Sequence, residues 1–296
     1  MSRAVFCPTR GDPFLISYWL RHFEHWRDHI DARLYLAVTG PQSDRVKEAI
    51  RTDPNLRPDD RVMLSTTWLD HGPAMQLLAF VTEDVVLLQE DDLYVRDPAT
   101  AVEVIEAVER EYDVAAAPCH NCSPEIRAAS LDYTGREPGL NPRFLAARTS
   151  VLHSVRAHFG CYVFPAGTTI PSLGGYVARE DCSSDAFCAA GLELRERASV
   201  LELVEDDRKW FHAGSLSTPG PMSDGPEFAF EGARAEGAVW CPRVSWWERF
   251  VRTWRDGLDA EHEAYSAVVE ELVGIVGRAG VDAARARYDR MIVWPE

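Results

Sequence analysis

The run Val85-Val86-Leu87-Leu88 passes without a spacer into Gln89-Glu90-Asp91-Asp92. A short, uninterrupted apolar run bounded by polar residues is the pattern of a strand covered on both faces. Three adjacent carboxylates cannot continue into that interior, because an unpaired buried charge carries a heavy desolvation cost. The strand must therefore end at a sheet edge that opens to water or to a compensating divalent cation, with helices covering the sheet on either side. The plain alternative is a solvated charged turn after a core strand, a common arrangement.

The 296 residues, 46% of them hydrophobic, can bury one large core or two smaller ones. The formal net charge of -16 disfavours a long polyanionic partner, whose binding draws on clustered Lys and Arg. Apolar stretches are only a few residues long, and the N-terminus has no basic-then-apolar signal pattern, so the expectation is a cytoplasmic protein without a membrane span. Seven scattered cysteines in that setting predict reduced thiols. Cys119-His120-Asn121-Cys122 resembles half of a zinc site, but no second pair follows to complete four ligands.

Strand-like and helix-like segments alternate through the first half, which predicts a largely parallel, doubly wound α/β sheet. Strands are expected at Ala4 to Cys7, Leu34 to Val38, Val62 to Leu64, from Val85, and at Val114 to Ala117. Helices are expected from Asp12-Pro13 to about His29, at Ser43 to Ile50, at Gly72 to Val81, and from Asp97-Pro98 to near Tyr112. Asp followed by Pro is a start signal, since the carboxylate caps free amides and proline tolerates the first turn. Ile16, Trp19, Leu20, Phe23, Trp26 and Ile30 make the apolar face of the first helix, leaving His22, His25 and His29 on the solvated side.

From Pro118 to Asn141 the Pro, Gly and Asn content predicts a loop, with a returning strand at Arg143 to Arg148 and an irregular segment over 160 to 179. Cys182 to Ala190 is expected as a helix closed by Gly191. Ala213 to Gly225 has the composition of a lid, and the tail from Ser245 carries a helical apolar stripe. In an open α/β sheet ligands lie beyond the carboxyl ends of the strands, where Thr9, Arg10, Thr39 and the Glu90 cluster emerge.

The acidic tetrapeptide after a core strand resembles the DxD-type motif of GT-A glycosyltransferases. That resemblance implies a GT-A, Rossmann-like catalytic domain over residues 1–225, with a nucleotide-sugar-binding half of about 1–118 and an acceptor half of about 119–225. A helical extension over 226–296 would pack on the same domain. It also implies transfer of a sugar from a nucleoside diphosphate donor, UDP or GDP above all, to a hydroxyl acceptor. The acceptor class stays open between glycan, polypeptide, small molecule and modified nucleobase.

An all-oxygen shell suits Mn2+ or Mg2+, with Asp92 and either Glu90, the preferred one, or Asp91 as ligands and Gln89 beside them. Lys209-Trp210-Phe211-His212-Ala213-Gly214-Ser215 resembles the late His-x-Gly strand of several GT-A families, which implies His212 as a further ligand and Gly214, Ser215 and Ser217 as diphosphate contacts. Glu205-Asp206-Asp207 repeats the acidic tripeptide and competes with the first. Pro8, Thr9, Arg10 and Asp12 are similar to the nucleotide-contacting start of such domains, and Gly72 and Gln76 to the helix start beneath the nucleotide. Glu180-Asp181 resembles the acidic pair of inverting members, implying Asp181 as the base that takes the acceptor proton, with Glu180 second. A sugar-phosphate nucleotidyltransferase is the nearest rival, although Thr9-Arg10-Gly11-Asp12 lacks the Gly-rich basic loop such enzymes use. A non-catalytic sugar- or protein-binding module is the other.

Overall fold

A computed structural model of the chain describes residues 1–9, 13–39, 44–64, 74–91, 93–119, 122–155, 159, 162–184, 187–204 and 209–212. The expected lid, the C-terminal extension and the second acidic tripeptide lie outside these residues. A seven-stranded sheet organises the fold in the order β12-β6-β7-β4-β1-β2-β3. Its members are β1 (Arg3–Thr9), β2 (Arg33–Val38), β3 (Arg61–Leu64), β4 (Val85–Gln89), β6 (Val114–Cys119), β7 (Gly139–Arg148) and β12 (Val200–Glu202). Neighbours pair in parallel except at β7, which runs antiparallel to both β4 and β6. The doubly wound, mostly parallel α/β expectation holds, and the returning strand over Arg143 to Arg148 is the one that reverses.

Alternation along the strands divides two core layers. Val5, Leu34, Leu36, Val85 and Leu87 pack with α1 (Pro13–Trp26) and α3 (Pro98–Arg110), while Ala4, Phe6, Val86 and Leu88 pack with residues 75–81, α5 (Thr149–Val155) and α6 (Cys188–Arg197). Both faces of β4 are thus covered, as its unbroken apolar run requires. Helix α1 buries Ile16, Trp19, Leu20, Phe23 and Trp26, the face that its spacing predicts. Arg27, just past its end, forms a two-pronged ion pair with Asp60 at 2.7 and 2.9 Å, and Asp60 also accepts the amides of Leu34 and Arg57. Both side chains are about 1% exposed, so the pair is compensated by its own geometry rather than by water.

Helix α2 (Asp44–Arg51) lies close to its expected position, and α3 starts as predicted, the Asp97 carboxylate accepting the Ala99 amide at 3.0 Å ahead of Pro98. The described part of the Gly72 to Val81 helix ends in a 3-10 turn over Gln76–Phe80. Elsewhere the chain departs from expectation. The Pro118 to Asn141 stretch is not a loop: β6 extends to Cys119, α4 (Pro124–Thr134) follows, and β7 starts at Gly139. Ser123 caps α4 through the Ile126 amide and Pro124 occupies its first turn, while Gly135 ends it at φ 68°.

The expected helix over 182–191 is also displaced. Cys182–Ser184 is strand β11, antiparallel to β8 (Tyr162–Phe164), and α6 begins only at Cys188. Phe187, at φ 69°, turns the chain between them and is held by stacking on Phe159 at 5.1 Å. Gly191 then lies inside the helix rather than at its end. It lets α6 press against β7, because a Cβ there would sit 2.6 Å from the Leu140 amide nitrogen.

Short ladders complete the described fold: β9 (Thr169–Ile170) with β10 (Tyr176–Val177), and β5 (Leu93–Val95) with β13 (Trp210–His212). No helix among the described residues is long and apolar enough to cross a membrane. Alanine at position 191 is expected to lower stability by about 1–3 kcal/mol despite its better helix propensity, because the clash is with backbone. A fall in the urea midpoint at unchanged slope is the expected reading.

Candidate active site

The acidic tetrapeptide begins where β4 leaves the sheet, and its members meet different surroundings. Gln89 is wholly buried in register with Phe144 of β7, its amide nitrogen donating to the Leu93 carbonyl at 2.9 Å. Its side-chain oxygen has no hydrogen-bond partner among the described residues. The Leu93 amide donates to the Glu90 carbonyl at 3.1 Å, closing a tight turn between the two residues. Asp91 folds inward at 5% exposure and accepts the Thr9 hydroxyl at 2.6 Å. Glu90 keeps 13% side-chain exposure, with its Oε2 3.7 Å from Nε of Arg143, which lies on β7 and is 39% exposed. Asp92 lies outside the described residues.

Thr9 ends β1, next to β4 in the sheet, so its short side chain reaches the turn that follows β4. Its carbonyl accepts the Thr39 amide at 2.9 Å, which ties the ends of β1 and β2 together. Pro8 is buried in β1 opposite Ala37, and Gln76 is exposed at the start of its 3-10 turn. Arg10, Asp12 and Gly72 lie outside the described residues.

Strand β13 approaches the acidic turn from a distant part of the sequence. It pairs antiparallel with β5, placing the His212 backbone opposite Leu93, the residue that follows Asp92. Two features hold this pairing. The amides of Arg96 and Asp97 donate to the Lys209 carbonyl at 2.9 and 3.1 Å, and Trp210 stacks on Phe144 with ring centres 4.9 Å apart. Gly214, Ser215 and Ser217 fall beyond the described residues.

Glu180 and Asp181 are exposed and precede strand β11, not a helix start as the sequence pattern suggested. One oxygen of Asp181 accepts the Ala166 amide at 2.8 Å. Around them lies a network that sequence reasoning missed. Glu125, in the first turn of α4, accepts the Tyr176 hydroxyl at 2.6 Å, the Arg179 amide at 2.7 Å and the Cys182 thiol at 3.2 Å. These bonds, the Tyr176 hydroxyl foremost, pull the Glu125 carboxyl down to about 2 from 4.5. Burial pushes the Cys182 thiol up, which keeps it protonated and able to donate.

Two expectations about sulfur and histidine are corrected. Cys122 and Cys188 form a disulfide spanning 66 positions, joining the approach to α4 to the start of α6, so the thiols are not all reduced. Cys122 is thereby withdrawn from the Cys119–Cys122 zinc pair; Cys7, Cys119 and Cys182 are buried thiols outside any disulfide. His22 is not solvated beside His25 and His29 but wholly buried, its Nε2 at 2.8 Å from the Val95 carbonyl and its ring edge-on to Tyr94. The cap-and-proline signal at Ser123-Pro124 could have revealed α4 and with it Glu125. No local signal pairs Arg143 with Glu90 or Cys122 with Cys188, because those contacts depend on strand order.

No protein-family profile matches the sequence, and no curated protein matches it. Solved structures similar to it include a protein from Desulfovibrio desulfuricans G20 described as a nucleotide-diphospho-sugar transferase, at 15% identity and TM-score 0.40, covering 69% of this chain and 80% of that one. Glucosyl-3-phosphoglycerate synthase from Mycobacterium tuberculosis, in complex with Mn2+, UDP-glucose and phosphoglyceric acid, is 14% identical at TM-score 0.38, covering 54% of this chain and 60% of the other. TarS 1-349 from S. aureus is 19% identical at TM-score 0.35, with 52% of this chain and 49% of that one covered.

The lowered Glu125 carboxyl makes a pH prediction. A depressed folded-state value stabilises above the unfolded value near 4.5, and that stabilisation is lost as pH falls towards about 2. Urea midpoints taken at neutral pH and again near the lower value are expected to differ less in Glu125→Gln than in the unsubstituted protein.

Proposed function

We propose that the chain is a glycosyltransferase that moves a sugar from a nucleoside diphosphate sugar to a hydroxyl acceptor with the help of a divalent metal. Residues 1–225 would form its catalytic unit. The observation that carries this reading is the β5–β13 ladder, which sets His212 opposite Leu93 and so beside the turn of Glu90 and Asp91. Two segments more than a hundred residues apart, each singled out by its own motif, meet at the carboxyl end of the central strands. That is where an open α/β sheet receives a ligand.

The donor set suits Mn2+ or Mg2+. The turn offers carboxylate oxygens, and the Gln89 side-chain oxygen one residue earlier is a buried acceptor without a hydrogen-bond partner among the described residues. Among the described residues no group of three His, Cys, Asp or Glu is placed to hold a metal, so the shell rests on Asp92 and the His212 side chain in addition to Glu90. A bound cation would stabilise the charge gathering on the departing diphosphate. Thr9 fixes Asp91 and shapes the turn, while Arg143 offsets the Glu90 charge.

Transfer needs a base on the acceptor side. The acceptor oxygen forms a bond to the anomeric carbon as the bond to the diphosphate breaks, and the acceptor proton passes to a carboxylate. Asp181 suits that role, since one oxygen is held by the Ala166 amide and among the described residues no donor occupies the other. This predicts inversion at the anomeric carbon, with Glu180 as the neighbouring acid.

Two measurements test the proposal. A thermal-shift screen with UDP, GDP, dTDP and CDP sugars is expected to show a manganese-dependent rise for one donor, abolished by Asp92→Asn. An unchanged rise in that variant would remove Asp92 from the metal shell. Asp181→Asn is expected to preserve the donor-induced shift while lowering turnover by roughly 100-fold or more, and retained turnover would exclude it as the base.

A further inference from the structure

Glu125 gathers donors from a single stretch of chain far from it in sequence. Its Oε1 accepts the Tyr176 hydroxyl and the Arg179 amide, its Oε2 accepts the Cys182 thiol, and the Glu180 amide bonds to it as well. These partners bracket Asp181 on both sides without including it. Among the described residues the Asp181 side chain accepts only the Ala166 amide, on one oxygen, and the residue is exposed.

We propose that Glu125 is the positioning residue for Asp181, a clamp that fixes the backbone on either side of the base while leaving its carboxylate open to an acceptor. The inference rests on the reading of Asp181 as that base. An exposed carboxylate on a free loop would sample many directions, and orientation is a large part of what a positioned base contributes. The clamp restricts that sampling by holding the amides of Arg179 and Glu180 and the side chains of Tyr176 and Cys182. Ser123 satisfies the α4 amide of Ile126, so the Glu125 side chain is directed away from its own helix and onto the 176–182 segment. Three elements anchor the clamp. Pro124 and the Ser123 cap set α4, the Cys122–Cys188 disulfide ties its approach to α6, and the β11–β8 ladder receives the chain just beyond Asp181.

Because its carboxyl sits near 2, Glu125 remains charged across the neutral range and is not itself the proton acceptor. A role limited to stability would change the unfolding midpoint alone; a positioning role changes the catalytic step at unchanged donor affinity.

The experiment compares the full-length protein with Glu125→Gln, Tyr176→Phe and Asp181→Asn. The probes are UDP-, GDP-, dTDP- and CDP-glucose with Mn2+ and water as acceptor, and amide hydrogen exchange is measured on the same samples. Glu125→Gln is expected to lower kcat for donor hydrolysis by roughly 10-fold or more with donor Kd unchanged, while the Arg179 and Glu180 amides exchange at least about 10-fold faster. Tyr176→Phe removes one bond only, so it keeps the test available if Glu125→Gln fails to fold; a smaller loss in the same direction is expected. Unchanged exchange at those amides overturns the proposal whether or not any donor is hydrolysed. Full turnover in Glu125→Gln alongside loss in Asp181→Asn overturns it too and leaves the base reading standing. Full turnover in Asp181→Asn sinks the base reading itself, and the positioning role falls with it.

Discussion

A strand hydrogen-bonded along both edges and covered on both faces cannot carry a charge, and β4 is such a strand. Its five residues are buried throughout, paired with β1 on one side and β7 on the other. The carboxylates are therefore displaced to the first residues beyond the sheet. The same constraint shapes their surroundings: Asp91, turned back towards the core, needs a donor and finds it in the Thr9 hydroxyl, and Glu90 lies against Arg143. The position of the candidate site follows from the burial of the strand that precedes it.

The rest of the charge is handled by local pairing. Arg27 with Asp60 and Arg3 with Glu109 are two-pronged pairs that join segments distant in sequence, the first almost fully buried and the second partly so. Such pairs specify how elements meet more than they add stability, since desolvation offsets much of their attraction. The acidic turn differs, because the Arg143 cation beside Glu90 stands 3.7 Å away and 39% exposed. The Glu125 cluster differs again, with backbone amides and neutral donors in place of a countercharge. The Glu125 carboxylate is held by several donors at once, whereas the Glu90 carboxylate stands beside a partly exposed cation.

Regular elements were legible wherever a single face or a single cap defined them. The apolar stripe of α1, the Asp97-Pro98 start of α3 and the strands β1 to β4 all follow from spacing and turn chemistry. Helix α4 carried a comparable signal in Ser123-Pro124, but the surrounding Pro, Gly and Asn residues favoured a loop. The segment over 182–191 misled because a run of small residues ending in Gly suits a helix and its cap, whereas Gly191 answers the close approach of β7 and Phe187 adopts a left-handed conformation that no local rule predicts. His22 was placed in solvent by its position on the helix, and the Val95 carbonyl and Tyr94 ring of a neighbouring element bury it.

The amino-acid order by itself determined the βα alternation, the burial of β4 and the point at which its charge must emerge, because these depend on periodicity and on the cost of burying carboxylates. Tertiary structure alone decided which remote residues meet there. The antiparallel insertion of β7 brought Arg143 to Glu90, the β5–β13 ladder brought His212 to the acidic turn, and the packing of α4 on the 176–182 segment brought Glu125 to the neighbours of Asp181. Each is a contact across strand order or helix packing, and a local pattern contains no information about which edge a later strand will join.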